Sequence, residues 1–378
     1  MTRAAGSEDP DPETQNPETQ NRHAWPLREG PVGPGQRSGG CGYARGMTTR
    51  PSRRDILMAA AAGLGASLLP RITTAAAPGS TARTLSPAPA RPTDALATPA
   101  KRPSISLAQW SLHRAFGAGT IDPLDFPLVA RRDYGIEAVE YVNSFFVPKV
   151  RDEAWLTELR RRGDDQNVRS LLIMCDGLGA LGDPDPAKRR IAVEKHEPWL
   201  DAAKRLGCHS IRVNAQSEGS WDEQRDRAAE GLHQLCLLGE SRGLNVIVEN
   251  HGGLSSNGKW LAQTIKAADH PRCGTLPDFG NFDLGGGVQY DRYAGVSELM
   301  PFAKGVSAKS HDFNEAGDET ATDYGKMLRI VLDAGYRDHI GIEYEGSRLS
   351  EPEGIKATKR LLVRTLDALL PATKQPQS

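Results

Sequence analysis

Apolar residues recur along the second part of the chain in short β-branched bursts, separated by longer stretches with helical spacing. The bursts predict strands at 104–110 (SISLAQW), 138–142 (AVEYV), 168–175 (VRSLLIMC), 209–214 (HSIRVN), 244–250 (LNVIVEN), 273–278 (CGTLPD), 304–311 (KGVSAKSH) and 339–345 (HIGIEYE). Continuous apolar runs of this length suit strands buried on both faces. Between them the spacing predicts helices near 123–134, 153–162, 186–206, 221–242, 258–268, 289–300, 323–334 and 352–370. The helix at 186 has Asp185 as its N-cap and Pro186 in its first turn, a strong start signal. Eight strand–helix units in about 270 residues predict a (β/α)₈ barrel, TIM-type, as a single catalytic domain over 104–372. The rival, a doubly wound open sheet, carries a Gly-rich turn after its first strand. AFGAGT at 115–120 is not GxGxxG, and no P-loop pattern occurs.

The first hundred residues read differently. Residues 1–46 are rich in Pro, Gly, Glu and Gln without apolar periodicity, the composition of a disordered extension. From Met47 the order is basic, apolar, small: Arg53 and Arg54 in SRRDILM, an apolar run from Ile56 to Leu69, then Ala75, Ala76 and Ala77. That order is that of a secretory signal peptide, and the run is too short to span a bilayer. The arginine pair resembles a twin-arginine signal. Translation is therefore expected to start at Met47, with a signal over 47–77, a flexible linker over 78–103, and an exported protein, periplasmic or extracellular, that meets the twin-arginine machinery and is not stably inserted in the membrane. A homo-oligomer is left open.

Composition narrows the classes. The 378 residues carry 47 Lys and Arg against 48 Asp and Glu, a net charge of -1, which offers no concentrated basic surface for nucleic acid. The five cysteines, Cys41, Cys175, Cys208, Cys236 and Cys273, form no CxxC pair and read as small buried hydrophobes.

Chemistry concentrates where barrel strands end. Glu249 closes VIVE, Asp278 closes TLPD, His311 closes SAKSH, and Glu343 lies in GIEYE. They are 29, 33 and 32 residues apart, one βα repeat each. Three carboxylates on one mouth would repel one another without a counter-ion. With one imidazole they suit a single divalent ion, Mn²⁺ first, with Mg²⁺, Co²⁺ or Zn²⁺ as alternatives. A carboxylate near an acidified C–H of a keto-sugar can remove its proton to give an enediolate. Proton return then isomerises or epimerises, and loss of a β-hydroxyl dehydrates. Glu249 and Glu343 are the expected acid/base pair. His251, two residues after Glu249, Lys309, two before His311, Glu140, Asn214, Trp110 and Asn281 are the expected substrate contacts. The glycines of DLGGGVQY (283–290) are expected to serve a tight turn.

VIVENHGG, LPDFGNF, AKSHDF and GIEYEG, with AQWSLHR and AVEYVN, resemble the xylose-isomerase-like TIM-barrel superfamily, the sugar phosphate isomerase/epimerase group. The resemblance covers about residues 104–370. It implies that Glu249, Asp278, His311 and Glu343 are metal ligands, as in ketose epimerases, and that the two glutamates exchange protons with substrate from opposite faces. Two features depart from that group: Asn281 stands where those epimerases commonly have His, and no Arg follows His311. Metal-dependent sugar or keto-sugar isomerisation is thus expected first, with a lyase or dehydratase acting on a keto-sugar, inosose or keto-glycoside as the alternative. A non-catalytic carbohydrate-binding barrel is the second alternative. DNA repair chemistry is disfavoured by the charge and by the lack of further histidines at the strand ends.

Overall fold

A computed structural model describes residues 101–370. The expected extension, the signal peptide, linker residues 78–100 and Cys41 lie outside the described residues, as do 371 and 372 at the end of the expected barrel. Of the linker, only 101–103 is described; there Pro103 is buried and Arg102 bonds Asp367 and the Val363 carbonyl oxygen on the last helix.

The strands are β1 (Ser104–Ala108), β2 (Ala138–Val142), β3 (Arg169–Met174), β4 (Ser210–Val213), β5 (Asn245–Glu249), β6 (Cys273–Leu276), β7 (Val306–Ser310) and β8 (His339–Tyr344). Each pairs in parallel with its sequence neighbours except β6 with β7, and β8 returns to β1. The remaining gap, between β6 and β7, closes at the strand ends. Parallel bridges join Thr275 to Ala303 and Asp278 to Ser307, with Ser307 donating its N–H to Pro277 O at 2.9 Å and Phe279 donating to Ser307 O at 3.1 Å. The expected eight-unit barrel is present, and its last seam lies beside Asp278.

Among the described residues, nine helices surround the strands: α1 (His113–Gly117), α2 (Phe126–Tyr134), α3 (Glu153–Asp165), α4 (Pro186–Leu206), α5 (Trp221–Glu240), α6 (Gly258–Ala268), α7 (Arg292–Leu299), α8 (Tyr324–Asp333) and α9 (Glu351–Leu369). The short α1 is the one helix the apolar spacing does not predict. The chain marks each of α3 to α9 with a capping side chain: Asp152, Asp185, Ser220, Asn257, Asp291, Asp323 and Ser350 each accept a first-turn backbone N–H. Each cap contributes about 1 kcal/mol, and together they fix where each loop hands over to a helix. No described helix is long and apolar enough to cross a membrane.

Successive side chains alternate between the helix layer and the barrel interior. The interior apolar set is small: Ala108, Val142, Leu172, Met174, Ile247 and Leu276, flanked by Trp110 and Phe145. Much of the remaining interior is polar, and glycines make room for it. Gly341 on β8 faces Glu140 on β2, and a Cβ there would come within 2.5 Å of Glu140 Oε1. The four described cysteines are buried and unpaired, as the sequence suggests.

Because Gly341 yields its side-chain space to a buried carboxylate, Gly341→Ala should lower the unfolding free energy by about 1–3 kcal/mol in urea denaturation. Gly117→Ala, with nothing within 4 Å of the new methyl, should cost no stability.

Candidate active site at the carboxyl ends of the strands

Glu249, Asp278 and Glu343 meet at one end of the barrel. Each is buried, and each offers an oxygen such that the three oxygens lie within 4.8 Å of one another. Asp278 is the most firmly held. Its Oδ1 accepts the N–H groups of Gly280 and Asn281, both at 2.8 Å, and Ser307 Oγ lies 2.7 Å from Oδ2. The same hydroxyl is 3.0 Å from Glu343 Oε2, so its one proton serves either carboxylate. Glu249 Oε1 accepts the Asn281 side-chain amide at 2.8 Å. Asn250 ties the turn down by accepting the Asp278 N–H at 2.7 Å and donating to the carbonyls of Asp278 and Asn281.

Two buried cations thread this cluster. Arg212 on β4 places Nε 2.9 Å from Glu249 Oε2 and NH1 2.6 Å from Asp176 Oδ1. The Nε contact is close, yet its N–H is not aimed at the oxygen, so Glu249 Oε2 has no hydrogen-bond donor in the fully buried site. Lys309 on β7 places Nζ 3.0 Å from Glu343 Oε1 and 3.1 Å from Glu345 Oε2. Glu345 also accepts the Trp110 indole N–H.

His311 is placed outside the triad. Its side chain is 48% exposed, and Nε2 lies 3.8 Å from Glu345. The cause is depth rather than direction. Lys309 is level with Glu343 in the β7–β8 register, so His311 shares its facing but stands two residues, roughly 7 Å, further out. The side chain that β7 sends to the triad is Lys309.

The other expected contacts are distributed around this centre. Glu140 is buried in the interior, accepting Ser106 Oγ at 2.6 Å, with Oε2 unpartnered. Asn214 donates to Asp176 at 2.7 Å, and Asn143 braces the Asp176 backbone. Trp110 stacks on His113, with ring centres 4.9 Å apart, and on Phe145 at 6.0 Å, forming an aromatic wall. His251 is exposed beyond the end of β5. The glycine run after Asp283 is a tight turn: Gly285, Gly286 and Gly287 all have positive φ, and Asp283 pairs with Gln289. Arg212, Asp176, Ser307 and Glu345 are site residues that the sequence reading did not select. Arg212 and Asn214, or Glu343 and Glu345, are spaced by two, and that spacing was the available signal.

Burial dominates the proton affinities. It pushes Glu140 up to about 7, with the nearby Glu343 and Glu249 adding to the rise. Burial likewise raises Glu249 and Asp278. Burial opposes ionisation of Asp176 and Glu345 as well, but Arg212 and Lys309 respectively outweigh it and hold both below the usual carboxylate range. Lys309 is the converse: burial disfavours its charge, and the carboxylates around it overcome that.

The donor set fits a divalent cation. Six carboxylates (Glu140, Asp176, Glu249, Asp278, Glu343 and Glu345) surround two buried cations, leaving four negative charges when all are ionised. One carboxylate oxygen of the triad lacks any donor. Glu249, Asp278 and Glu343 would hold the ion, through oxygen alone.

A closed barrel of parallel strands with an acidic triad at their carboxyl ends defines a TIM-barrel protein with a candidate metal centre. A sequence model described as "xylose isomerase-like TIM barrel" matches residues 128–365, well over half of the chain, and the chain belongs to that family. No curated protein matches the chain significantly. Among solved structures it is similar to an L-ribulose 3-epimerase (14% identity, 72% of this chain and 100% of the other, TM-score 0.56). It is similar also to the IOLI protein with a bound zinc atom (13%, 71% and 100%, 0.56) and to a xylose isomerase-like barrel from Mycobacterium smegmatis in complex with magnesium (16%, 71% and 98%, 0.53). At these identities the likeness is one of fold.

The pH dependence of stability tests the burial of these acids. Folded Glu140 keeps its proton up to about 7, while the unfolded chain releases it in the ordinary carboxylate range. The folded state therefore binds more protons across that interval, and stability falls as pH rises through it. The lowered carboxylates, Asp176 and Glu345, act only below that range, while His196, His209, His251 and His339, held below the usual imidazole range by burial, act in the opposite sense as pH rises toward that range. In chelator-containing buffer the thermal midpoint of the wild type, taken relative to that of Glu140→Gln, should thus drop between pH 5 and pH 8.

Proposed function

We propose that the protein is a divalent-metal-dependent isomerase or epimerase of a sugar or keto-sugar, working by proton abstraction through an enediolate. The observation that carries this reading is the convergence of Glu249, Asp278 and Glu343, buried, within 4.8 Å. The family membership and the epimerase among the similar folds support it. An all-oxygen donor set favours a hard ion, Mn²⁺ or Mg²⁺, over Zn²⁺, which prefers nitrogen and sulfur.

When bound, the ion supplies Lewis acidity toward a carbonyl and its neighbouring hydroxyl, acidifying the C–H between them. The chain's own groups do the rest. Glu249, with its proton affinity raised by burial and its Oε2 facing only the misaligned Arg212 Nε, is suited to take a proton. Glu343 enters from β8, three strands away around the barrel, and can return a proton on another face or carbon. Asp278 is held by two backbone N–H groups on Oδ1 and shares the Ser307 hydroxyl with Glu343 through Oδ2, which suits it to the part of a ligand rather than of the base. The Lys309 ammonium offers positive charge to an oxygen that gains negative charge. Trp110, with its stacked neighbours, provides an apolar face for a sugar ring, and Asn214 and His251 lie at strand ends around the mouth.

The metal-loaded protein incubated with keto-sugars in D₂O should give deuterium incorporation without mass loss. Loss of water or of an aglycone would make it a lyase instead. Glu249→Gln and Glu343→Gln should each reduce exchange by about 10²–10⁴-fold with an unchanged circular dichroism spectrum. Full exchange in Glu249→Gln would overturn the proposal, as would turnover that is unaffected by exhaustive chelation.

Export belongs to the same proposal and rests on SRRDILM and the apolar run after it. Replacing Arg53 and Arg54 with Lys should retain the protein in the cytoplasmic fraction, read by immunoblot.

A further inference from the structure

We infer that Lys309 is a resident cation that competes with the divalent ion for Glu343, and that Glu345 is the berth to which its ammonium withdraws when the ion binds. The inference rests on the reading of Glu249, Asp278 and Glu343 as the metal site.

Lys309 Nζ sits between two carboxylates with different allegiances. Glu343, at 3.0 Å, belongs to the triad; Glu345, at 3.1 Å, does not. The Lys309 side chain is 2% exposed, so its charge cannot relax into water and must keep a carboxylate partner. Its stem is fixed as well. A Cβ on Gly280 would lie 3.0 Å from Lys309 Cγ and Cδ, which shows the stem packed against the turn that holds Asp278. Only the end of the side chain has somewhere to go, and the two positions open to it are Glu343 and Glu345. Glu345 is held ready by the Trp110 indole.

A divalent ion accepted by the triad must share Glu343 with an ammonium, and the two positive charges repel at close range in a buried site. Binding is therefore an exchange. The ion takes Glu343, and Lys309 shifts its pairing to Glu345. This makes the metal weaker-bound than three buried carboxylates would otherwise hold it, and it keeps the metal-free barrel folded by leaving the triad a counter-ion. It also sends the ammonium toward the mouth, the side from which a sugar arrives, whenever the metal is in place.

The test is a calorimetric titration of chelator-treated protein with MnCl₂, paired with thermal unfolding. Lys309→Met should bind Mn²⁺ about tenfold or more tightly, and its metal-free midpoint should fall. Glu345→Gln should weaken Mn²⁺ binding severalfold in the wild-type background and much less in the Lys309→Met background, because the berth matters only to the ammonium. Unchanged or weaker binding by folded Lys309→Met overturns the inference, as does an equal effect of Glu345→Gln in both backgrounds. Should Lys309→Met not fold, Glu345→Gln alone decides: wild-type affinity in that variant overturns the exchange. Uptake by Lys309→Met and none by wild type supports the inference while ending metal dependence for the natural chain. No uptake by either protein removes the metal reading of the triad and this inference with it.

Discussion

Buried negative charge is the constraint around which this barrel is built. Glu140, Glu249, Asp278 and Glu343 are all sequestered inside a closed sheet, where an uncompensated carboxylate is costly. The fold answers with fixed donors at Asp278, with Ser106 beneath Glu140, and with two cations whose long side chains reach inward from β4 and β7. The answer is incomplete. Glu249 Oε2 and Glu140 Oε2 have no hydrogen-bond donor, and burial holds the proton affinity of Glu140, Glu249 and Asp278 high. An interior left short of positive charge in this way favours either proton uptake or a divalent ion, and the proposed proton transfer at a sugar carbon draws on both.

Local choices in the sequence serve that interior. Gly341 gives up its side chain so that Glu140 fits, and Gly280 does the same for the Lys309 stem. Asn250 and Asn281, from the turns after β5 and β6, tie Glu249 and Asp278 to one hydrogen-bonded frame. The barrel's closing seam runs through the same place, since Asp278 bridges to Ser307 and Ser307 Oγ reaches both Asp278 and Glu343. Loosening the site would therefore loosen the closure of the sheet.

The barrel was legible because apolar bursts and helical spacing alternate without interruption, and because Asp185 and Pro186 mark a helix start unambiguously. Glu249, Asp278 and Glu343 were legible because carboxylates at the ends of apolar strands recur at one βα interval. Depth was not legible. Strand parity tells which face a side chain takes, and by parity Lys309 and His311 are equivalent. Only the register of β7 against β8, Lys309 opposite Glu343, shows which of them stands level with the triad. Arg212 was missed for a related reason. Within SIRV it reads as one charge in an otherwise apolar strand, and its role depends on Glu249 and Asp176, 37 and 36 residues away, meeting it inside the barrel.

The pairing of Arg212 with Glu249 and of Lys309 with Glu343 also separates the two candidate proton-transfer groups. Arg212 is anchored at its other end by Asp176, which Asn214 and Asn143 hold in turn, so its charge cannot leave Glu249. Lys309 has an alternative partner in Glu345, so its charge can leave Glu343. One glutamate therefore keeps a constant electrostatic neighbour while the other has a variable one. Two chemically identical carboxylates in one buried site are told apart only by such differences in surroundings, and here one has a cation braced from its far side while the other has a cation shared with a second carboxylate.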